Sequence, residues 1–258
     1  MFVFVRSGSV VFLSIAALSS AAQSQRAGTT GRDSVGNAAA ALVNEGRVNE
    51  ARMTLMQAMR AKPSPAQLAT YRLELGDTFL YDGQYGQASR TYNAVLSGHD
   101  SISVDSLIRW AHHGLALIDV FNGRPARAAV HYAQALEGRG SLGDTIEMLV
   151  LTSQHDSALN ALDRYEALHS EQSAKQFVQS FRGLSWLMAG HCTQALPQIA
   201  KAPRQDGVLP TAVRGRCAMK HGQRVDALAL RDSVMTLQVP DPFAWYVFIA
   251  RDVVRKIQ

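Results

Sequence analysis

Hydrophobic positions in this chain fall at helical spacing, in amphipathic stretches broken by glycine, proline and polar clusters. Ala39 and Leu42, Leu115 and Ile118, and Ile249 and Val253 illustrate the three- and four-residue step. Between the stretches recurs a six-residue word, in which a small turn residue is followed by an alanine five positions on. Its copies are Gly46…Ala51, Gly83…Ala88, Gly123…Ala128, Ser153…Ala158, Gly190…Ala195 and Gly222…Ala227. Successive alanines are 37, 40, 30, 37 and 32 residues apart. A step of that size predicts a stacked array of helical hairpins, not one closed core.

The word has a physical reason. Glycine supplies the positive φ needed where one helix stops and the chain reverses. Alanine early in the next helix lets two helices approach to roughly 8–10 Å. Other columns follow the same register. A small slot precedes each alanine by about twelve residues: Ala39, Gly76, Ala116, Ile146, Gly183 and Gly215. Large residues follow it by four, namely Leu55, Tyr92, Tyr132, Leu162 and Ile199, with Arg231 breaking the column. Ile146 makes the fourth copy the weakest.

The hairpins can be placed in order. The first opens at Asp33-Ser34, where the side chains can cap a helix, and ends at Lys62-Pro63-Ser64-Pro65. The second runs from about Pro65 to Ser97, and a loop at Gly98-His99-Asp100-Ser101 stretches the next step. The third begins near Asp105. Loop residues Gly138 to Gly143 clip the first helix of the fourth to about Asp144–Thr152. The fifth, from about Ser173 to Ala202, carries Pro197 inside its second helix, where a kink is expected. The sixth runs from about Pro210 to Leu237. Asp241-Pro242 then opens a last helix with Phe243, Trp245, Phe248, Ile249 and Val253, and with Arg251, Arg255 and Lys256 at a polar far end. Such a helix suits the end of an array, covering an apolar face.

These residues resemble the tetratricopeptide-repeat family of helix-turn-helix units. The second copy is the best match, with Leu75-Gly76, Phe79, Gly83-Gln84-Tyr85, Ala88, Tyr92 and Val95; the third offers Leu115, Ala116, Gly123, Ala128, Tyr132 and Ala135. The family's early Trp is absent, with Arg72 and His112 at two such slots, and Arg182 and Arg214 stand where the family prefers Leu. The resemblance implies an all-α, right-handed α-solenoid of about six repeats over residues 33–239, with a C-terminal capping helix over 240–258. It also implies that first helices line a concave groove for a peptide or a partner's helix. Carried over slot by slot, the groove residues are Leu73, Asp77, Tyr81, Trp110, His113, Leu117 and Phe121. Farther along, Glu147, Leu184, Met188, Arg216 and Lys220 join them. Packing between neighbouring helices is the competing role for Trp110 and Phe121.

The N-terminus adds a compartment. One charge, Arg6, precedes an uncharged apolar run and the small residues Ser19-Ser20-Ala21-Ala22. This reads as a secretory signal peptide over 1–22, followed by a disordered lead-in over 23–32. An uncleaved anchor is the alternative, but the charge-free run from Ser7 to Ala22 falls short of the roughly 20 residues that span a bilayer. The expected location is periplasmic or secreted. Export favours a Cys192–Cys217 disulfide, stabilising by about 3 kcal/mol on the loop-entropy estimate; two buried thiols are the other reading. No metal site is expected, because even with His191 and His221 nearby the paired C-x2-C ligands are lacking.

Function classes narrow accordingly. The net charge of +5 is scattered, with no basic stripe for nucleic acid. No H-E-x-x-H, G-x-S-x-G or P-loop is present. His112 and His113 are adjacent and must point to different faces. The expectation is a non-enzymatic protein-interaction module, without cofactor, that holds another protein or peptide. A structural role in a cell-envelope assembly through the convex face or end cap is the first alternative, and an enzyme with an unrecognised site the second.

Overall fold

The computed structural model describes residues 32–98, 105–137, 140–204 and 206–258. The leader expected over 1–22, all but the last residue of the lead-in, the loop at His99–Ser101 and Gly138-Arg139 lie outside the described residues. The described residues form thirteen helices and no strand. They are α1 (Ser34–Asn44), α2 (Val48–Arg60), α3 (Pro65–Tyr81), α4 (Tyr85–Leu96), α5 (Asp105–Phe121), α6 (Pro125–Leu136) and α7 (Leu142–Leu151). There follow α8 (His155–Leu168), α9 (Gln172–Met188), α10 (Cys192–Ala200), α11 (Val208–Lys220), α12 (Arg224–Thr236) and α13 (Trp245–Arg255). The first twelve pair into six antiparallel hairpins.

The recurring word is the elbow of every hairpin. Gly46, Gly83, Gly123, Gly190 and Gly222 have φ between 70° and 89°, and Ser153 takes φ 61° in the fourth copy. Each elbow closes with the same two backbone bonds. At the second, Gly83 N–H donates to the Leu80 carbonyl at 3.0 Å and Gln84 N–H to that of Phe79 at 2.8 Å. This αL termination satisfies carbonyls that the helix end would leave bare. All six alanines of the word are fully buried. Helix starts use local chemistry too: Asp33 accepts from the Val35 and Gly36 N–H groups, and Ser64 and Ser141 form capping boxes with Gln67 and Asp144.

The columns meet as expected. Tyr92 from α4 lies between α3 and α5, where Cβ atoms added at Gly76 and Gly114 would fall 2.6 and 2.5 Å from its ring. Gly183 gives Ile199 the same room. First helices pack on one another, α1 on α3, α3 on α5, α7 on α9 and α9 on α11, while second helices pack chiefly on first helices. The layer of first helices is therefore the inner one. Arg182, in a Leu slot, reaches back to Asp163 and Glu166 on α8. The expected disulfide is present, with Cys192 and Cys217 joining α10 to α11 at a Cα separation of 5.4 Å.

The C-terminal helix departs from its expected place in two ways. It begins at Trp245, not at Asp241-Pro242, because Asp241 accepts from the Phe243 N–H and closes a turn first. Its polar far end is also not free. Val247 to Val254 are all buried, Arg251 and Asp252 included. The helix still covers the last hairpin as a cap does, while its middle, from Val247 to Val254, is buried as well. Beyond covering α11 and α12, α13 runs against α3 and reaches α4 and α5. No described helix is long and apolar enough to cross a membrane.

Candidate functional site on the inner face

The inner face is built around α13. Near its start, Trp245 meets Trp110 of α5 edge-on at 6.5 Å between centroids and packs on the His113 ring at 3.9 Å. Towards its end, Arg251 lies 3.7 Å over the Tyr81 ring and donates to the Tyr81 and Met235 carbonyls. Arg255 also donates to the Tyr81 carbonyl and to the Tyr85 hydroxyl. Tyr81 is the last residue of α3, so two guanidiniums from α13 cap the negative end of that helix, with Arg52 donating to the Thr78 carbonyl at 3.0 Å beside them. Burial pushes the pKa of Arg251 down from the usual arginine range, partly opposed by the neighbouring Tyr81. Tyr85 donates to Asp252 at 2.7 Å. Burial and that carboxylate hold the tyrosine proton well above its ordinary range.

The connector before α13 ties the two ends of the array together. Asn44 of α1 donates to the Val239 carbonyl at 2.8 Å. Arg32 bonds Asp241 at 2.9 Å, lies 3.4 Å from buried Glu74, and covers the Phe243 ring. Residues more than 190 positions apart in sequence thus close the array upon itself.

Of the groove residues read from the sequence, Tyr81, Trp110 and His113 touch α13, and Arg216 donates to the Lys256 carbonyl just beyond it. Leu73, Leu117 and Leu184 are fully buried between helices, and Phe121 packs on Tyr85. Asp77 is fully buried and accepts from Tyr92 at 2.6 Å and from Trp110. Met188 is exposed, and the exposed Lys220 donates to the Gly190 carbonyl. The expected neighbours Tyr81, Trp110 and His113 are therefore brought together, while Met188 and Lys220 are exposed last residues of α9 and α11.

A polar cluster lies beside Trp245. Glu147 Oε1 takes His113 Nε2 at 2.6 Å and the Tyr132 hydroxyl at 3.1 Å. Burial, reinforced by the Glu147 charge, raises the Tyr132 pKa well above its usual range, and burial likewise raises that of Asp144. His112 points the other way and stacks on His131 of α6. The role of Arg251 and Arg255 was missed in the sequence. Their four-residue spacing inside an apolar stretch was the available signal.

No family model matches the chain, and no curated relative does. Among solved structures it is similar to the crystal structure of a tetratricopeptide repeat protein from Parabacteroides merdae ATCC 43184, with 14% identity and a TM-score of 0.43, over 91% of this chain and all of that one. At that distance the likeness carries no argument, and the fold rests on the helices themselves.

Proposed function

We propose that this chain is an exported protein-interaction module, non-enzymatic and without cofactor, whose inner face is a seat for a helix. The observation that carries the reading is the way the inner face treats α13. Tyr81, Trp110, His113 and Arg216 all engage that helix or its immediate end. Aromatic anchors with charged neighbours are the chemistry of helix-in-groove recognition. A partner protein or peptide, not nucleic acid, is the class of molecule that such a seat suits. The disulfide between Cys192 and Cys217 supports a periplasmic or secreted location.

A second reading has its own observation. Because α13 already occupies the seat, the convex face is the other surface open to a partner, as in a structural component of a cell-envelope assembly. Photo-crosslinking residues placed singly at Met188, the last residue of first helix α9, and at Val130 on second helix α6 separate the two, since both side chains are exposed in the intact chain. Capture of a partner from position 188 and not from 130 is the expected result. Capture from 130 alone would transfer the function to the convex face.

A further inference from the structure

We infer that His112 and His131 form a binding site for a divalent ion of the zinc type, which clamps α5 to α6 across the third hairpin. The inference does not depend on the inner-face reading. His113 turns to Glu147 and Trp245, and the adjacent His112 is left to meet His131. Their rings stack with centroids 5.4 Å apart and 29° between planes, and the two Nδ1 atoms lie 3.2 Å apart. With zinc–nitrogen bonds of about 2.0–2.1 Å, two imidazoles on one tetrahedral ion hold their nitrogens about 3.3–3.4 Å apart. The two helices thus hold a pair of imidazole nitrogens at ligand spacing.

Without an ion, the same spacing lets one ring donate its Nδ1–H to the Nδ1 of the other. Binding an ion moves that hydrogen to Nε2 of its own ring, so that both Nδ1 lone pairs meet the metal and no proton leaves the pair. His131 is placed for this tautomer, because its Nε2 lies 3.9 Å from Asp119 Oδ2. A carboxylate beyond the far nitrogen of a ligating imidazole orients the ring and raises its basicity. Asp119 is itself buried and fixed, by Arg124 at 2.9 Å and Arg127 at 3.6 Å. Burial, and secondarily His131, lowers the His112 pKa, which keeps that ring neutral and able to ligate.

The donor set selects the ion. Neutral imidazole suits zinc, copper and nickel, whereas calcium and magnesium take oxygen ligands. Neither cysteine takes part, since both are in the disulfide. Among the described residues no group of three or more His, Cys, Asp or Glu side chains is placed to hold an ion. The clamp therefore rests on two protein nitrogens and leaves the other tetrahedral positions open, so the ion binds reversibly and takes part in no reaction. Both rings are partly buried, and the His131 side chain is 22% exposed, so an ion can enter from solvent without opening the hairpin.

The test melts untagged, metal-free full-length chain with Zn2+ and, separately, with Mg2+. Zn2+ in several-fold excess over its Kd is expected to raise the Tm saturably, by about 2–4 °C, and Mg2+ to leave it unchanged. His112→Gln and His131→Gln should each lose the rise, and His191→Gln with His221→Gln should keep it. Nitrogen-15 NMR of the histidine rings reads the geometry in the unaltered chain. Zn2+ should shift the Nδ1 atoms of His112 and His131 together and leave each ring's hydrogen on Nε2. Three results would overturn the site. One is a chain whose Tm does not respond to Zn2+. Another is a rise that both single variants keep, which would mark adventitious binding at other histidines. The last is Zn2+ shifting the Nε2 atoms in place of Nδ1.

Discussion

The seam between hairpins two and three and the seam between hairpins three and four use the same columns and close differently. At the first, Tyr92 lies between Gly76 and Gly114, and α3 runs directly against α5. Its hydroxyl stays within its own hairpin, on Asp77. At the second, Tyr132 holds the place of Tyr92, but its two slots are Ala116 and Asp144. Tyr132 is as fully buried as Tyr92, and α5 meets α7 through the bond between His113 and Glu147, which also takes the hydroxyl of Tyr132 from α6. The clipped α7 puts Asp144 in its first turn, where it caps the helix and is not free to be a glycine slot. Both seams bury a tyrosine whose hydroxyl meets a carboxylate: at the first it is Asp77 of the ring's own hairpin, reached across the seam by Trp110, and at the second it is Glu147 of the next hairpin, which also holds His113.

The comparison can be broken most severely at Tyr92. Replacement by alanine empties the space between two glycines and should destabilise by about 4 kcal/mol, read by denaturant unfolding. A smaller loss at Tyr92 than at Tyr132 would mean that the first seam is not the tighter one. A third seam offers a covalent check. Reducing the Cys192–Cys217 bridge should remove about 3 kcal/mol, seen as a lower Tm in reductant. Gly114→Ala drives a methyl against the Tyr92 ring and should cost about 2 kcal/mol, with little change for alanine at exposed Gly86.

At the second seam the effect is smaller. Glu147→Gln keeps an acceptor for Tyr132 but removes the charge facing His113, and should cost about 1 kcal/mol. The smallest effect belongs to His112. Burial, and secondarily His131, lowers its pKa in the folded chain. The unfolded chain then binds the proton more readily, so the stabilisation is present above the ordinary histidine value near 6.5 and is lost as pH falls through the folded value. Replacing His112 with Gln should flatten the melting temperature between pH 7 and 5, and an unchanged slope would remove His112 from the account.

Much of this architecture was legible because the turn chemistry is local. The positive φ at Gly46, Gly83, Gly123, Gly190 and Gly222 follows from residue type, and the buried alanines follow from register. Ser153 was legible only through the spacing of its neighbours. The disulfide was readable because the array puts one helix start beside the next helix end. The place of α13 was not. Its apolar residues indicate that it must be covered, but not by which surfaces, and Arg251 and Arg255 look like a solvated end until α3 offers them carbonyls. Closure depends on accumulated curvature over six hairpins, which no local pattern encodes. Groove residues such as Leu73 and Leu184 were placed on the correct helices, yet their side chains serve the core.

Hydrogen–deuterium exchange on the intact chain tests most directly whether the array wraps its own last helix. Amides of α13 should exchange as slowly as those of α3 and α11, and Arg251→Ala should speed exchange in both α13 and the last turn of α3. Fast exchange throughout α13 beside a protected α11, with α3 indifferent to the substitution, would contradict the account.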